Sequence, residues 1–379
     1  MDPLPIALLV VGIVLLVGGA ELLVSGAAGI ARSLGIMPIV IGLTVVAFGT
    51  SAPEMAISVG ASLAGEPDVA VGNVVGSNIY NVLLILGLSA LAAPLLVDER
   101  VTRREVPLMV LASIGVALMA ADGTLGRLDG LVLVAGLLAW IGWLLRNSRR
   151  SGRAVPVSLN TLGAAAGPAR SGATRSPLAV SSPGAGGRGR AWQLGQIGIG
   201  LVILVAGAQA VVHGAIDLAY AVGLSPLVVG LTIVAVGTSL PELATSVAAS
   251  LRGERAIAVG NVVGSNILNI GAVLGFTALF SPDGVAVAPV ALGRDFPVMI
   301  GVALICVPLF FTGRGLARWE GGLLLGCGVV YTVFVLLVAT EHPAVPALTT
   351  VLVGVALPAM AITLGALTVR EMQARRAAR

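Results

Sequence analysis

One stretch of this chain is written twice. Residues 42–81 and 230–269 align without a gap at an offset of 188, and 29 of the 40 positions are identical. A chance match at one position is expected under roughly one time in ten, even in an apolar composition. The first copy reads GTSAPE at Gly49–Glu54 and GNVVGSNIYN at Gly72–Asn81. The second reads GTSLPE at Gly237–Glu242 and GNVVGSNILN at Gly260–Asn269. Any two apolar helices share Val, Leu, Ala and Gly. Here the Glu, Thr, Ser, Asn and Pro positions repeat while several apolar ones drift, which marks an internal duplication.

The surroundings of the repeat are those of a membrane. The chain is 57% hydrophobic and 11% charged, with a mean hydropathy of +1.03, whereas soluble domains are about a quarter charged. Apolar spans are predicted at Leu4–Ile30, Ile39–Ala64, Val69–Leu95, Val106–Ala121 and Leu131–Leu145, then at Leu194–Ala219, Leu227–Leu251, Ala256–Leu279, Phe296–Phe311, Gly321–Val338 and Val345–Leu367. These lengths meet or approach the roughly 20 residues of a spanning helix. Only Asp2 precedes the first span as a charge, so it does not resemble a cleaved signal peptide. Cys306 and Cys327 lie inside apolar spans and read as small core residues, not as a disulfide.

All 22 basic residues are Arg, and the isoelectric point is about 9.8. Aromatic stacking platforms are scarce, so this charge points to a membrane topology and not to nucleic acid. With the N-terminus outside and eleven crossings, 20 of the 22 arginines fall on the inside; Arg127 and Arg294 are the exceptions. Five crossings separate the two repeats, so they must lie in opposite orientation. The expected fold is an all-α polytopic membrane protein: two inverted-topology five-helix repeats plus an extra C-terminal helix, about 11 transmembrane helices. Its parts are an N-terminal repeat (1–146), a linker (147–192), a C-terminal repeat (193–339) and an extra helix with a basic cytoplasmic tail (340–379). Arg146–Trp192 contains no Asp or Glu and is rich in Gly, Ser, Pro, Ala and Arg, the composition of a flexible cytoplasmic tether.

The repeated stretch carries the chemistry. Pro53 and Pro241 cannot donate a backbone hydrogen bond and crowd the carbonyls of Gly49 and Gly237. A helix break is therefore expected in each copy, freeing carbonyls around Ala47–Gly49 and Ala235–Gly237. Bare backbone at membrane depth is tolerated where it is buried in protein or lines a cavity. Thr50, Ser51 and Glu54 can group their oxygens at the first break, and Thr238, Ser239 and Glu242 at the second. Asn73, Ser77 and Asn81 recur every four residues, as do Asn261, Ser265 and Asn269, and each trio forms a polar stripe. Gly72 with Gly76, and Gly260 with Gly264, make small faces for close helix approach. Asn78 and Asn266 can serve either as ligands or as hydrogen-bonding links between helices. The donors are all oxygen and suit hard cations such as Ca²⁺, Na⁺, Mg²⁺ or Mn²⁺. An intramembrane carboxylate costs at least about 2.5 kcal/mol, which makes Glu54 and Glu242 functional by default. Glu21 aligns with Gln209 and Ser25 with His213 at the same offset. That asymmetry argues against a ligand role for Glu21 or His213 and for helix packing or a place on the access path.

At these residues the chain resembles the calcium/cation antiporter superfamily, and within it the prokaryotic sodium/calcium exchangers. The paired G-T-S-x-P-E and G-N-x-x-G-S-N-x-x-N elements are similar to that family's two alpha-repeats. The resemblance implies that Glu54 and Glu242 with Thr50 and Thr238 form a calcium site. It also implies that Ser51, Ser77, Ser239 and Ser265, with the carbonyls of Ala47 and Ala235, complete flanking sodium sites, and that Asn81 and Asn269 complete the centre. The expected function is secondary active exchange of Ca²⁺ for Na⁺ by alternating access, in the cell membrane. Ca²⁺ and Na⁺ bind as substrates, with no cofactor and no obligatory protein partner. The alternative is a proton-coupled antiporter of Ca²⁺, Mn²⁺ or Mg²⁺. A cation channel would build its pore around an axis along the membrane normal, against which inverted repeats argue. An intramembrane enzyme would need a nucleophile and a base, yet the only histidines, His213 and His342, lie outside the repeats.

The arginine distribution is directly testable. A cysteine introduced at Asp2 is expected to react with an impermeant thiol reagent in intact cells, and one at Arg376 is not. Labelling at Arg376 from outside would remove the eleven-helix topology.

Overall fold

The computed structural model describes residues 3–151, 189–221, 235–311, 315–351 and 373. The described chain is nearly all helix. The first half contributes α1 (Leu4–Leu34), α2 (Pro38–Thr50), α3 (Ala52–Leu63), α4 (Pro67–Ala92), α5 (Val101–Asp122) and α6 (Arg127–Ser151). The second contributes α7 (Arg190–Ala221), α8 (Ala235–Gly237), α9 (Leu240–Leu251), α10 (Arg255–Phe280), α11 (Ala291–Phe310), α12 (Arg318–Ala339) and α13 (Val345–Val351). Among the described residues, eight helices are long and apolar enough to cross a membrane, and nine if the bent pair α2 and α3 counts as one span. This is a multi-pass membrane protein. Of the predicted span Leu227–Leu251, residues 227–234 lie outside the described residues. So do the linker from 152 to 188 and the last span beyond Val351.

Punctuation in the sequence sets the ends of these helices. α1 stops at Gly35, whose left-handed φ of 63° turns its N–H back onto the carbonyls of Ala31 and Arg32. Prolines open α2, α3 and α4 at positions where the missing N–H costs nothing. α2 and α3 meet at a 44° bend before Pro53, as the proline requires. The break is tighter than the sequence suggests. The Ser51 N–H still donates to the Ala47 carbonyl at 3.0 Å, because Pro53 removes only the donor that would serve Gly49. In the second copy the Ser239 N–H turns instead to Val236, at 3.1 Å.

Burial separates the helices into a centre and a rim. In α4 and α10, 78% and 89% of the apolar window is buried inside the protein, against 11% for α12. The two helices that carry the polar stripes are thus the innermost. α10 packs closely on α2: a Cβ on Gly260 would meet the Ile39 carbonyl at 2.7 Å, and one on Gly264 would meet the Leu43 Cα at 2.7 Å. Gly72 and Gly76 meet no neighbour within 4 Å among the described residues. Two short antiparallel pairings tie the halves together at the helix ends. β1 (Leu95–Leu96) pairs with β4 (Gly315–Leu316), and β2 (Thr124–Leu125) pairs with β3 (Val285–Ala286).

α1 and α7 pack as an antiparallel pair along glycines spaced by seven: Gly12, Gly19 and Gly26 on one, Gly200, Gly207 and Gly214 on the other. A Cβ on Gly19 would lie 2.7 Å from the Leu204 nitrogen and 2.9 Å from the Gly200 oxygen, both unyielding backbone atoms. Gly18, one residue away, has nothing within 4 Å. Gly19→Ala is therefore expected to destabilise the protein by about 1–3 kcal/mol through overpacking, and Gly18→Ala to leave it unchanged. Thermal unfolding of the two detergent-solubilised variants checks this, and equal midpoints would contradict the packing.

Candidate cation site

Glu54 and Glu242 sit in the first turns of α3 and α9, just after the two prolines. A helix N-terminus carries a partial positive charge, which favours a carboxylate there. Both residues are essentially sealed from solvent, at 1% and 0% exposure. Each is held by a serine of the other half. Ser51 Oγ donates to Glu242 Oε1 at 3.1 Å, and Ser239 Oγ lies 3.4 Å from Glu54 Oε1 and 3.3 Å from Ser77 Oγ. The second oxygen of each carboxylate, Oε2, is buried with no hydrogen-bond partner.

Around this pair the asparagines form two matching sets of clamps. Asn73 Nδ2 donates to the Glu54 carbonyl at 3.1 Å and to Ser58 Oγ at 2.9 Å. Asn261 Nδ2 does the same for the Glu242 carbonyl at 3.4 Å and Ser246 Oγ at 2.9 Å. Their oxygens reach across the interface: Thr50 Oγ1 donates to Asn261 Oδ1 at 3.2 Å and Thr238 Oγ1 to Asn73 Oδ1 at 3.4 Å. Thr50 Oγ1 also lies 3.3 Å from the Ala47 carbonyl.

One turn further along α4 and α10, four amides cross-link the halves. Asn81 Nδ2 donates to Asn266 Oδ1 at 2.9 Å, and Asn269 Nδ2 to Asn78 Oδ1 at 3.1 Å. Asn78 and Asn266 thus spend their oxygens on neighbouring helices, which makes them interhelical links. Asn81 and Asn269 keep buried Oδ1 atoms with no partner, as does Ser265 at its Oγ. Each of these two asparagines also opens a wide helical turn, Asn81–Leu86 and Asn269–Leu274, a distortion that recurs at functional sites.

These nine residues therefore fall into two matching hydrogen-bond networks, Thr50, Ser51, Glu242 and Asn261 in one and Glu54, Asn73, Ser77, Thr238 and Ser239 in the other, with Asn78, Asn81, Asn266 and Asn269 beside them. Ala47 contributes a carbonyl, and Ala235 begins α8. Glu21 is elsewhere: it is half-exposed and pairs with Arg252 at 3.3 Å, while the His213 ring bonds the Gln209 carbonyl at 2.7 Å. Ser58 and Ser246 were not singled out from the sequence, although both recur at the offset of 188 and follow the glutamates by four. Met109 and Met299, whose sulfurs touch the amide quartet, lie outside the ungapped repeat.

The unpaired atoms define the chemistry. Buried polar atoms in folded proteins are nearly always hydrogen-bonded. Here two carboxylate and two amide oxygens, in symmetric pairs, are not. All four are acceptors, so what they lack is positive charge or a donor. Among the described residues no three of His, Cys, Asp or Glu come together. The donor set is two carboxylates with neutral oxygens, which fits hard cations.

Comparison with known proteins agrees with this chemistry. The family model described as sodium/calcium exchanger protein matches residues 4–146 and 192–337. The inner membrane protein YrbG of Escherichia coli strain K12 is 40% identical over 331 residues, covering 86% of this chain and 96% of that protein. The sodium/calcium exchanger MaX1 of Methanosarcina acetivorans is 34% identical over 341 residues, covering 86% and 97%. The solved structure of the sodium-calcium exchanger NCX_Mj, soaked with 2.5 mM Na⁺ and 0.1 mM Ca²⁺, superposes with a TM-score of 0.70 at 32% identity, covering 87% of this chain and 98% of that one.

Because Asn73 pins both a backbone carbonyl and Ser58, Asn73→Ala is expected to leave those groups unsatisfied at a cost of about 1–3 kcal/mol. Asn261→Ala is expected to cost the same within error. Thermal unfolding of the two variants measures it, and a neutral Asn73→Ala would contradict the clamp.

Proposed function

Because this chain belongs to the sodium/calcium exchanger protein family, we propose that it is a secondary active antiporter exchanging Ca²⁺ for Na⁺ across the cell membrane by alternating access. The observation that carries this reading is the set of four buried, unpartnered oxygens on Glu54, Glu242, Asn81 and Asn269. In the proposed site, Glu54, Glu242, Thr50 and Thr238 ligate Ca²⁺. Ser51, Ser77, Ser239 and Ser265, with the carbonyls of Ala47 and Ala235, complete the sodium sites. Asn81 and Asn269 face the centre, and Asn73 and Asn261 hold the glutamate backbones.

The eleven-helix topology is part of the same proposal, with the N-terminus outside and residues 147–192 and the C-terminus in the cytoplasm. The strand pairings support its inversion. β1 ends α4 on one face, and α5 crosses to the other face, where β2 lies. β3, which ends α10, pairs with β2. The ends of α4 and α10 thus lie on opposite faces, as inverted repeats of secondary transporters require.

Exchange follows from charge. Two ionised carboxylates without a counter-charge are very unfavourable in a low-dielectric interior. One Ca²⁺ or two Na⁺ neutralise them. Both ions need the same carboxylates, so each excludes the other, and an empty site resists moving through the membrane centre. Alternating access is assigned to the α1–α7 pair sliding on the core.

Glu54→Gln keeps the shape of the side chain and removes one negative charge. Losing one member of a buried charge set costs about 3–5 kcal/mol, and every tenfold in affinity is about 1.4 kcal/mol. Calcium affinity is therefore expected to fall by about two orders of magnitude or more. Glu242→Gln should do comparable damage and Glu21→Gln much less. The test is sodium-gradient-driven Ca²⁺ uptake into vesicles at matched expression. Normal uptake by Glu54→Gln, or Glu21→Gln as the most damaging of the three, would overturn the site. Uptake driven by a pH gradient and indifferent to Na⁺ would overturn the choice of driving ion.

A further inference from the structure

The halves share a second element that the ungapped repeat does not include. Arg104, Glu105, Pro107 and Met109 on α5 recur as Arg294, Asp295, Pro297 and Met299 on α11, at an offset of 190. Both methionines are buried, at 1% and 2% exposure. Each sulfur meets an amide of the central quartet from the other half. Asn266 Nδ2 lies 3.3 Å from Met109 Sδ, and Asn78 Nδ2 lies 3.6 Å from Met299 Sδ.

A thioether sulfur accepts hydrogen bonds and donates none. It therefore selects the NH₂ end of the amide that faces it, and the oxygen must point the other way. That oxygen accepts from the next amide: Asn266 Oδ1 from Asn81 Nδ2, and Asn78 Oδ1 from Asn269 Nδ2. Asn81 and Asn269 then have their NH₂ groups engaged and their oxygens unpartnered. Reversing the outer amide would set its oxygen against sulfur, two acceptors face to face. It would also turn the inner amide, and an NH₂ group would face the cation.

We propose that Met109 and Met299 are positioning residues for the ion site: each sulfur fixes the orientation of a two-amide relay so that Asn81 and Asn269 present oxygen, not NH₂, to the transported cation. The inference rests on the exchanger reading and adds to it a device built into each half. The two arms differ in one respect. Asn78 Nδ2 has a further acceptor, the Asn266 carbonyl at 3.4 Å, which steadies it when the sulfur is removed. The Met109 arm is accordingly the more sensitive.

The test uses purified full-length protein in proteoliposomes, with sodium-gradient-driven Ca²⁺ uptake read as apparent KM and maximal rate. Met→Leu conserves volume and is tolerated in cores, but it deletes the acceptor; Met→Gln restores an acceptor oxygen. Met109→Leu is expected to raise KM about three- to tenfold, the worth of one hydrogen bond, with the maximal rate little changed. Met299→Leu should raise it less, and Met109→Gln should return KM toward wild type. A merely structural role would lower the amount of folded protein and leave KM alone, with polar Gln worse than Leu. Wild-type KM in both Leu variants, or Gln as damaging as Leu, overturns the proposal. If Met109→Leu does not fold, Met299→Leu and Met109→Gln carry the same comparison. The exchanger reading fails separately, by absence of sodium-dependent uptake in the wild-type protein.

Discussion

Two carboxylates sealed inside a low-dielectric interior are the constraint on which the rest of this structure depends. Glu54 and Glu242 are each held in part by the opposite half. Each accepts a side-chain hydrogen bond from a serine across the interface, and each keeps one oxygen without a partner. The two halves are thus joined at the point of highest electrostatic cost. An arrangement like this is costly when empty and favourable when cations fill it, which is what a coupled exchanger needs. The helix N-termini beneath both carboxylates offset part of that cost, and the proline-induced bend is what brings a helix N-terminus to that depth.

The surrounding packing keeps this polar centre buried and closely fitted. α4 and α10 can carry asparagine and serine stripes because they are almost wholly enclosed by other helices. Gly260 and Gly264 bring α10 against α2 at backbone distance, so the two halves share a narrow seam. The α1–α7 pair is built differently. It packs chiefly on itself through its glycine series, and charged contacts fasten it to the core: Arg252 with Glu21 and Ser25, and Arg32 with Glu254 at 3.2 Å. At the offset of 188, Arg252, Glu21 and Ser25 correspond to Ala64, Gln209 and His213. The charged fastening is thus specific to one end of the pair, while the candidate cation site is nearly symmetric.

Much of this was legible in the chain. The repeated Glu, Thr, Ser and Asn positions marked the centre because polar residues that recur in an apolar background are retained for their chemistry. The break at Pro53 was legible because proline acts locally. Its extent was not: the Ala47 carbonyl keeps its Ser51 donor, since a single proline removes a single hydrogen bond. The choice between ligand and link for Asn78 and Asn266 depended on what each amide faces, a tertiary fact. Met109 and Met299 escaped notice because methionine in an apolar span carries no signal by itself; only their positions against Asn266 and Asn78 give them a role. Ser58 and Ser246 were within reach, since each follows its glutamate by one helical turn and recurs in both copies.

If one pair of carboxylates serves both ions, Ca²⁺ and Na⁺ cannot occupy it together. The most direct measurement is equilibrium binding of radioactive Ca²⁺ to the purified protein across a titration of Na⁺. The account predicts that Na⁺ raises the apparent Kd for Ca²⁺ without changing the number of Ca²⁺ sites, and that Ca²⁺ occupancy falls to zero at saturating Na⁺. Ca²⁺ that stays bound at saturating Na⁺ would contradict a shared site.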